Sequence, residues 1–346
     1  MAPRALRLLH ASDFRLDTPC LPLLRLPAAI GDLHVEARYS AVTRLVDAAI
    51  DQQVDLVVLA GGLLDVTQTG LRGPWHLVEQ FGRLQDAGID VVWGGAQVDS
   101  PHRWPAYVGL PGNVRRFAPS ARTPFRIDRP GCEPLLIGGC HASFPPTADG
   151  IRVVIAPNAP ETVAVDGVDY IACGGRATHL VMANRRTAWP GSPQGRSSAD
   201  GGPHGGLLVS IAPQDGHERT VHIEPIACDV VRFENVAVTP SIEATYDSLL
   251  DRIANAVSDH SSSTELTFLT VEVQGQGLAV ERLRSPRRQH DLLRSLQEAE
   301  STSSVWPIAI EVAEAVAAAP DPDILETVAQ TEATALDRSV QPAEQR

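Results

Sequence analysis

The most informative stretch of the chain is Arg7-Leu-Leu-His-Ala-Ser-Asp-Phe-Arg-Leu-Asp17. Its first half is a short apolar run that ends at Asp13, a pattern typical of a strand buried in a sheet. Open α/β folds bind their ligands at the carboxyl edge of the sheet, so a carboxylate at Asp13 lies where a site is expected. Two residues later stands Arg15, whose guanidinium stays protonated and has no lone pair to offer a metal ion.

Length and composition indicate an ordinary globular protein of two domains. The chain has 346 residues, of which 43% are hydrophobic and 5% aromatic, a composition typical of α/β proteins rich in Ala, Val and Leu. Its apolar runs are too short to cross a membrane, and the N-terminal run is interrupted by His10 and Ser12 too early for a signal peptide. We therefore expect a cytoplasmic protein without membrane contact. The five cysteines are widely spaced and predict neither a disulfide framework nor a zinc knuckle.

The net charge of −13 argues against a general nucleic-acid binder, because such binding draws mainly on cationic neutralisation of phosphates. Residues 1–240 carry a net charge of −3 and residues 241–346 one of −10. One basic cluster stands out in the acidic part, and it is open whether it binds an anion or is simply a solvated helix face. Its members are Arg282, Arg284, Arg287, Arg288 and Arg294.

Helical and strand patterns alternate along the first half of the chain. The apolar spacing predicts a helix from Glu36 to Gln53, and the continuous apolar run Val54–Ala60 predicts a strand buried on both faces. Short strands crowd together after residue 130, which favours two sheets packed face to face with helices outside. In the second half, a helix is predicted from Ser241 to Asp259 with Ser241 as its N-cap. Strands at Leu266–Val273 and Val305–Val312, separated by a helix at 287–299, complete a small α/β unit.

Five strings of the sequence occur in the order, and near the spacing, of a known family. They are Leu8-Leu-His-Ala-Ser-Asp13, Val57-Val-Leu-Ala-Gly-Gly-Leu-Leu-Asp65, Asp99-Ser-Pro-His-Arg-Trp104, Tyr170-Ile-Ala-Cys-Gly174 and Trp189-Pro-Gly-Ser-Pro-Gln-Gly-Arg-Ser197. On these strings the chain resembles the calcineurin-like metallophosphoesterases, and within them the SbcD-type subunits of DNA exonucleases that act in double-strand-break repair. The string from Trp189, followed by Gly202-Pro-His-Gly205, is the most specific of the five.

The resemblance implies a fold and a domain organisation. The fold would be a four-layer α/β/β/α metallophosphoesterase sandwich with a small α/β capping domain. Residues 1–235 would form the nuclease-like domain and 236–315 the capping domain. We expect 316–346 to be an acidic, mostly disordered tail.

The resemblance also implies a metal site, and most of its ligand positions are changed. The family uses two manganese or similar divalent ions roughly 3.5–4 Å apart, held by about seven oxygen and nitrogen ligands. Of these, Asp13 is the only surviving ligand position, while Asp65 and Asp99 survive as pocket residues. The changed positions, in chain order, are Arg15, Gly62, Gln97, Val98, Ala156 or its neighbour Pro157, Gly175 and Ala177. Gly62 matters most, because the family has its bridging aspartate there.

Arg15 and Arg176 come from two loops at the same expected edge. If two cations are missing from a pocket lined by carboxylates, arginines can restore neutrality, and Arg15 would then lie against Asp13 or a neighbouring carboxylate. Alternatively, the two arginines form an anion site that grips a phosphodiester without cleaving it, because a guanidinium matches phosphate bidentately.

These observations favour a pseudo-enzyme without a cofactor, retained as a binding or assembly component. The alternative is an active metal-dependent exonuclease or phosphoesterase with an altered site. By resemblance the partners would be DNA and an SbcC-type coiled-coil ATPase, and a homodimer is compatible with the resemblance.

Overall fold

The computed structural model describes residues 3–17, 26–65, 67–68, 70–100, 103–118, 121–145, 149–160, 163, 166–213, 219–300 and 304–313. In chain order its elements are β1 (Leu6–Ala11), α1 (Ala28–Asp51), β2 (Leu56–Leu59), α2 (Arg72–Asp86), β3 (Asp90–Gly94), β4 (Val114–Phe117), β5 (Phe125–Ile127), β6 (Leu135–Gly139), β7 (Ile151–Ala156), β8 (Tyr170–Cys173), β9 (Leu180–Val181), β10 (Thr187–Trp189), β11 (Gly205–Ile211), β12 (Val221–Ala227), β13 (Val231–Val238), α3 (Tyr246–Ser258), β14 (Leu266–Val273), α4 (Leu278–Leu283), α5 (Pro286–Ala299) and β15 (Val305–Val312).

Two six-stranded sheets face each other. The first has the order β12-β11-β1-β2-β3-β4, with β1 to β4 parallel and β11 antiparallel to β1. The second has the order β5-β6-β7-β8-β10-β9, with β6, β7, β8 and β10 parallel. Apolar side chains of both sheets, such as Leu8 and Val58 from the first and Val153 and Ala172 from the second, share one buried core. The predicted α/β sandwich is confirmed.

The two outer faces of the sandwich are covered differently. Helices α1 and α2 pack on the first sheet through a core that includes Leu45 and Phe81, and the two helices contact each other. The outer face of the second sheet, including Val154 and Ile171, is covered by connecting segments around Phe144 and Ala159. In the described part of the chain, loops therefore form the fourth layer, because the connections β6–β7 and β7–β8 contain no described helix.

The third sheet is small and fully parallel, in the order β13-β14-β15, and helices α3, α4 and α5 pack on it. Its strand β13 begins at Val231, so position 236, the expected start of the capping domain, falls inside that strand. A second core joins this unit to the sandwich, where Phe233 and Phe268 pack with Ala37 of α1. The expected tail, 316–346, lies outside the described residues.

Helix α3 begins five residues later than the sequence pattern predicts. Ser241 is not its N-cap; Thr245 is, because the Thr245 backbone is extended and its side-chain oxygen accepts a hydrogen bond from the Ser248 amide. No helix among the described residues is long and apolar enough to cross a membrane.

Candidate functional site

The candidate site lies where the loops that follow β1, β2, β3, β7 and β8 meet at one edge of the two sheets. The loops after β1 and β2 run side by side, because the Asp13 amide donates to the Gly61 carbonyl (2.9 Å) and the Arg15 amide to the Gly62 carbonyl (3.0 Å). The loop after β8 joins them through Gly175, whose amide donates to Asp13 Oδ2 at 2.7 Å. The expected ligand positions after these strands are therefore neighbours in space.

Asp13 is half-buried and is used as an acceptor by the protein itself. Its Oδ2 accepts hydrogen bonds from the Gly175 amide and from Ser12 Oγ, each at 2.7 Å. Burial raises the pKa of Asp13 above its usual value, while these two hydrogen bonds and the charge of Arg15 act in the opposite direction. The backbone of Asp13 has a φ of 55°, a conformation that Asp tolerates better than most side chains.

Gly62 stands in direct contact with Asp13. Its φ is +74°, and a Cβ added there would lie 2.6 Å from Asp13 Oδ1. A side chain at this position therefore cannot be added unless Asp13 moves, since real Cβ atoms do not come that close to a neighbouring oxygen. A side chain at the position where the resemblance expects the bridging carboxylate therefore requires Asp13 Oδ1 to shift.

Gly61 and Gly175 close the remaining gaps between the loops. A Cβ on Gly61, whose φ is +73°, would lie 2.8 Å from Ala96 Cβ and 3.0 Å from Pro157 Cβ. A Cβ on Gly175, whose φ is +93°, would lie 2.8 Å from Asn158 Cα. At Gly175 backbone thus packs against backbone, and at Gly61 backbone packs against Ala96 and the Pro157 side chain.

Asp99 holds two loops together through hydrogen bonds. Its side chain is buried, and it accepts hydrogen bonds from the Leu63 amide (3.0 Å), the Ala96 amide (2.6 Å) and Trp93 Nε1 (3.1 Å). Burial raises the pKa of Asp99, although the hydrogen bonds favour its charged form. Asp99 thereby ties the loop after β2 to the end of β3. In the sequence between Ala96 and Asp99, Gln97 is exposed and Val98 is half-buried.

Asp65 caps its own turn. Its Oδ1 accepts hydrogen bonds from Thr67 Oγ1 (2.6 Å) and the Thr67 amide (2.9 Å), and these bonds lower the pKa of Asp65. The cation whose charge acts on Asp65 is Arg103, whereas the carboxylate whose charge acts on Asp13 is Asp99. The charge of Asp99 thus raises the pKa of Asp13, whereas Asp65 accepts hydrogen bonds within the turn that follows Leu64.

Arg15 and Arg176 are both half-buried at this edge, the latter directly after Gly175. Our expectation that Arg15 lies against a carboxylate needs correction, because no described carboxylate is within the 4.0 Å of an ion pair with it. Its charge still reaches Asp13, whose pKa it lowers. The backbone of Arg15 is left-handed, with a φ of 50°.

The donor set does not fit the pair of divalent ions that the fold family implies. Within the described ranges, no three side chains of His, Cys, Asp or Glu lie together in a way that could hold a metal ion. Ala156 and Ala177 offer no donor at two of the positions where the resemblance expects imidazoles. Among other histidines, His141 and His179 are exposed, and His102 lies outside the described residues.

Sequence reasoning missed the role of the segment 189–205. Gln194 is buried, and its side chain accepts from the Val230 amide (3.0 Å) and the Val231 amide (3.2 Å) while donating to the Val231 carbonyl. The ring nitrogens of His204 lie 3.1 Å from the Ser192 carbonyl and 2.8 Å from the Asp200 carbonyl. The segment thus fixes the start of β13 to the sandwich. A glutamine and a histidine among Pro and Gly residues between apolar strands was the available signal.

Taken with the fold, these loops at the common edge of two packed sheets define an α/β sandwich of the metallophosphoesterase kind. The chain is similar to the uncharacterized metallophosphoesterase YhaO of Bacillus subtilis (strain 168), with 26% identity over 88% of this chain and 81% of that protein. No family model matches the chain. Fold and relative together support the metallophosphoesterase superfamily.

Proposed function

We propose that this chain is a catalytically inactive SbcD-like protein that acts as a binding or assembly component in DNA metabolism. The observation that carries the proposal is the contact between Gly62 and Asp13. Gly62, the position expected to carry the bridging carboxylate, has no side chain. A Cβ added to Gly62 would lie 2.6 Å from Asp13 Oδ1. Two-metal hydrolysis depends on such a bridge to hold the ions at a fixed separation.

The retained carboxylates support the same proposal, since each has a role in holding loops. Asp13 accepts hydrogen bonds from Ser12 and Gly175, and Asp99 accepts them from the loop after β2, from β3 and from the loop after β3. A carboxylate whose lone pairs are used by protein donors is a poorer metal ligand than one that points into open space. At this edge the carboxylates connect neighbouring loops through hydrogen bonds.

A metal and activity assay tests the inactive part of the proposal. We expect the purified full-length protein to contain well under one equivalent of transition metal and to cleave neither duplex nor single-stranded DNA when manganese is added. Asp13→Asn is the matched control, because it keeps the shape of the side chain. Manganese-dependent cleavage that disappears in Asp13→Asn would establish an active altered site and overturn the proposal.

The assembly part needs a separate measurement. By resemblance the partner is an SbcC-type coiled-coil ATPase, so we expect the full-length protein to co-elute with such an ATPase from the same organism in size-exclusion chromatography. Gly88→Ala, at an open and distant surface turn, should co-elute equally well. Absence of a complex over a range of concentrations and nucleotide states would contradict this part alone.

A further inference from the structure

The capping unit carries a surface in which two arginines share one aromatic ring. The Cζ atom of Arg282 in α4 lies 5.2 Å from the centroid of the Tyr246 ring, and that of Arg288 in α5 lies 5.4 Å from it. Both side chains are exposed, as is Arg287 beside them. We call Arg282, Arg287, Arg288 and Tyr246 the arginine surface. Cations over one ring gain from its electron-rich face but repel each other.

The positive charge of the arginine surface is not neutralised by its surroundings. Two neighbouring arginines have partners: Arg284, directly after α4, pairs with Glu281 at 2.9 Å, and Arg294 of α5 pairs with Glu298 at 3.0 Å. In the described part of the chain, no carboxylate lies within 4.0 Å of any arginine of the surface. The first turn of α5 contains no acidic residue, so the positive end of the helix adds to the same field. This field stands out in a chain with a net charge of −13.

Two exposed apolar side chains border the arginine surface. Leu278 is 84% exposed and lies four residues before Arg282, on the same face of α4. Ile242 is 69% exposed, and its carbonyl lies 2.5 Å from where a Cβ on Gly277 would be, so the two segments touch. The surface therefore suits a partner that combines negative charge with large apolar side chains.

Residues 314–346 of the same chain have that chemistry. They contain seven acidic residues and two arginines, and Asp321-Pro-Asp-Ile-Leu-Glu326 places Ile and Leu among three acids. The chain leaves the described part beside the arginine surface, because the Ala313 carbonyl accepts a hydrogen bond from Arg284 Nη2 at 3.1 Å. From Ala313 to Asp321 an extended chain spans up to roughly 26 Å, so the acidic stretch is tethered close to the arginine surface.

We propose that segment 314–346 binds in cis to the arginine surface of the capping unit and competes there with anionic partners. The acids of the segment neutralise Arg282, Arg287 and Arg288, and its apolar pair covers Leu278 and Ile242. Tethering gives the segment a high effective concentration, so weak contacts suffice for it to occupy the surface. A partner with more negative charge displaces it.

Hydrogen exchange of the full-length protein, read by mass spectrometry, tests the proposal. At about 0.01 M ionic strength we expect amides of 321–326 to exchange at least about ten-fold more slowly than in an unstructured peptide. The protection should be lost near 1 M, since the screening length falls from roughly 30 Å to 3 Å. It should also be lost in the variant Arg282→Gln/Arg287→Gln/Arg288→Gln and in Asp321→Asn/Asp323→Asn/Glu326→Gln. The control Arg294→Gln, whose charge is already paired, should keep it.

Three outcomes overturn the proposal. The first is no protection of 321–326 in the wild type at low ionic strength. The second is protection that survives in the triple arginine variant, which would put the segment elsewhere. The third uses a dT oligonucleotide as probe in fluorescence anisotropy: equal affinity for the wild type and the acid-neutralised variant, with loss in the arginine variant, would assign the surface to nucleic acid without competition. All substituted arginines are exposed, so unchanged thermal unfolding is expected and is checked alongside.

Discussion

Two loop regions that both resemble the same family have been treated differently in this protein. At the candidate site, the positions where ligands are expected carry Gly62, Gly175 and Ala177, and the loops have closed on each other. In the segment 189–205, the string that includes Gln194 and His204 is present, and both residues are buried in hydrogen bonds. The difference shows two ways of holding loops, by close contacts around glycines at the candidate site and by buried side-chain hydrogen bonds in the segment 189–205.

The sharpest way to break this comparison is to put the missing carboxylate back. Gly62→Asp should destabilise the protein by roughly 3–5 kcal/mol, because left-handed backbone, a close contact and a second buried carboxylate each add a cost. Chemical denaturation measures the change. Manganese binding should not be gained, because positions where the resemblance expects imidazole ligands, such as Ala156 and Ala177, still offer no donor.

Matched glycine variants separate those costs. Gly88 has the same φ of +74° as Gly62 but nothing within 4 Å of its added Cβ, so Gly88→Ala reports the backbone cost of about 1–2 kcal/mol alone. Gly62→Ala adds the contact with Asp13, and Gly62→Asp adds the charge. If Gly62→Asp were as stable as Gly88→Ala and bound manganese, the candidate site would be an open metal pocket and the comparison would fail.

The second prediction concerns the other loop region. Gln194→Ala should cost roughly 2–4 kcal/mol, because it leaves the buried amides of Val230 and Val231 without their acceptor. Gln68→Ala is the control: Gln68 is exposed and makes one long hydrogen bond of 3.3 Å to Asp65, so its loss should stay within about 0.5 kcal/mol. A small effect at Gln194 would mean that the segment does not fix β13 to the sandwich.

Much of this fold could be predicted from the sequence, and the reason is periodicity. The strands Leu266–Val273 and Val305–Val312 were predicted with the bounds that the structure has, because β-branched and other apolar residues predominate in both. Strand β4 was missed because its sequence, Val-Arg-Arg-Phe, reads as polar, and β10 because it has three residues. Short elements depend on tertiary pairing, which no local pattern contains.

The candidate site could be located from the sequence but its internal contacts could not. The end of a buried strand placed Asp13 at the sheet edge, where the structure has it. The same reasoning grouped Asp65 with Asp13, but Asp65 bonds to Thr67 in its own turn. The distance from Asp13 to Gly62 depends on two left-handed residues, whose φ values are not determined by residue type alone.

The third prediction tests whether Asp99 stabilises the protein by holding the loops after β2 and β3 together. Asp99→Asn should cost roughly 1–3 kcal/mol, because the amide has only one oxygen and its NH₂ group must face a donor. Trp93 fluorescence offers a local readout, since Trp93 Nε1 donates to this carboxylate. The same change at Asp65, which is held within an exposed turn, is the control and should cost less. Equal losses of unfolding free energy in Asp65→Asn and Asp99→Asn would contradict the different roles given to these two residues.

The smallest expected effect is that of Arg15, and it has a pH dependence of definite sign. Because Arg15 makes no ion pair with a described carboxylate, Arg15→Gln should cost only about 0.2–1 kcal/mol at neutral pH. Its charge lowers the pKa of Asp13, which burial holds above 3.8, so removing it raises that pKa further. A carboxyl group with a raised folded pKa costs stability as pH rises from its unfolded pKa through the folded one. Below pH 3.8, Asp13 should therefore contribute equally to the free energy of unfolding of the wild type and of Arg15→Gln. Above that pH the two free energies should diverge, with the variant less stable. Repeating the comparison on the Asp13→Asn background isolates the pair, because other titrating groups cancel. If the divergence persists there, Arg15 acts on something other than Asp13, and if the variant gains stability with pH, the charge of Arg15 does not reach the carboxylate at all.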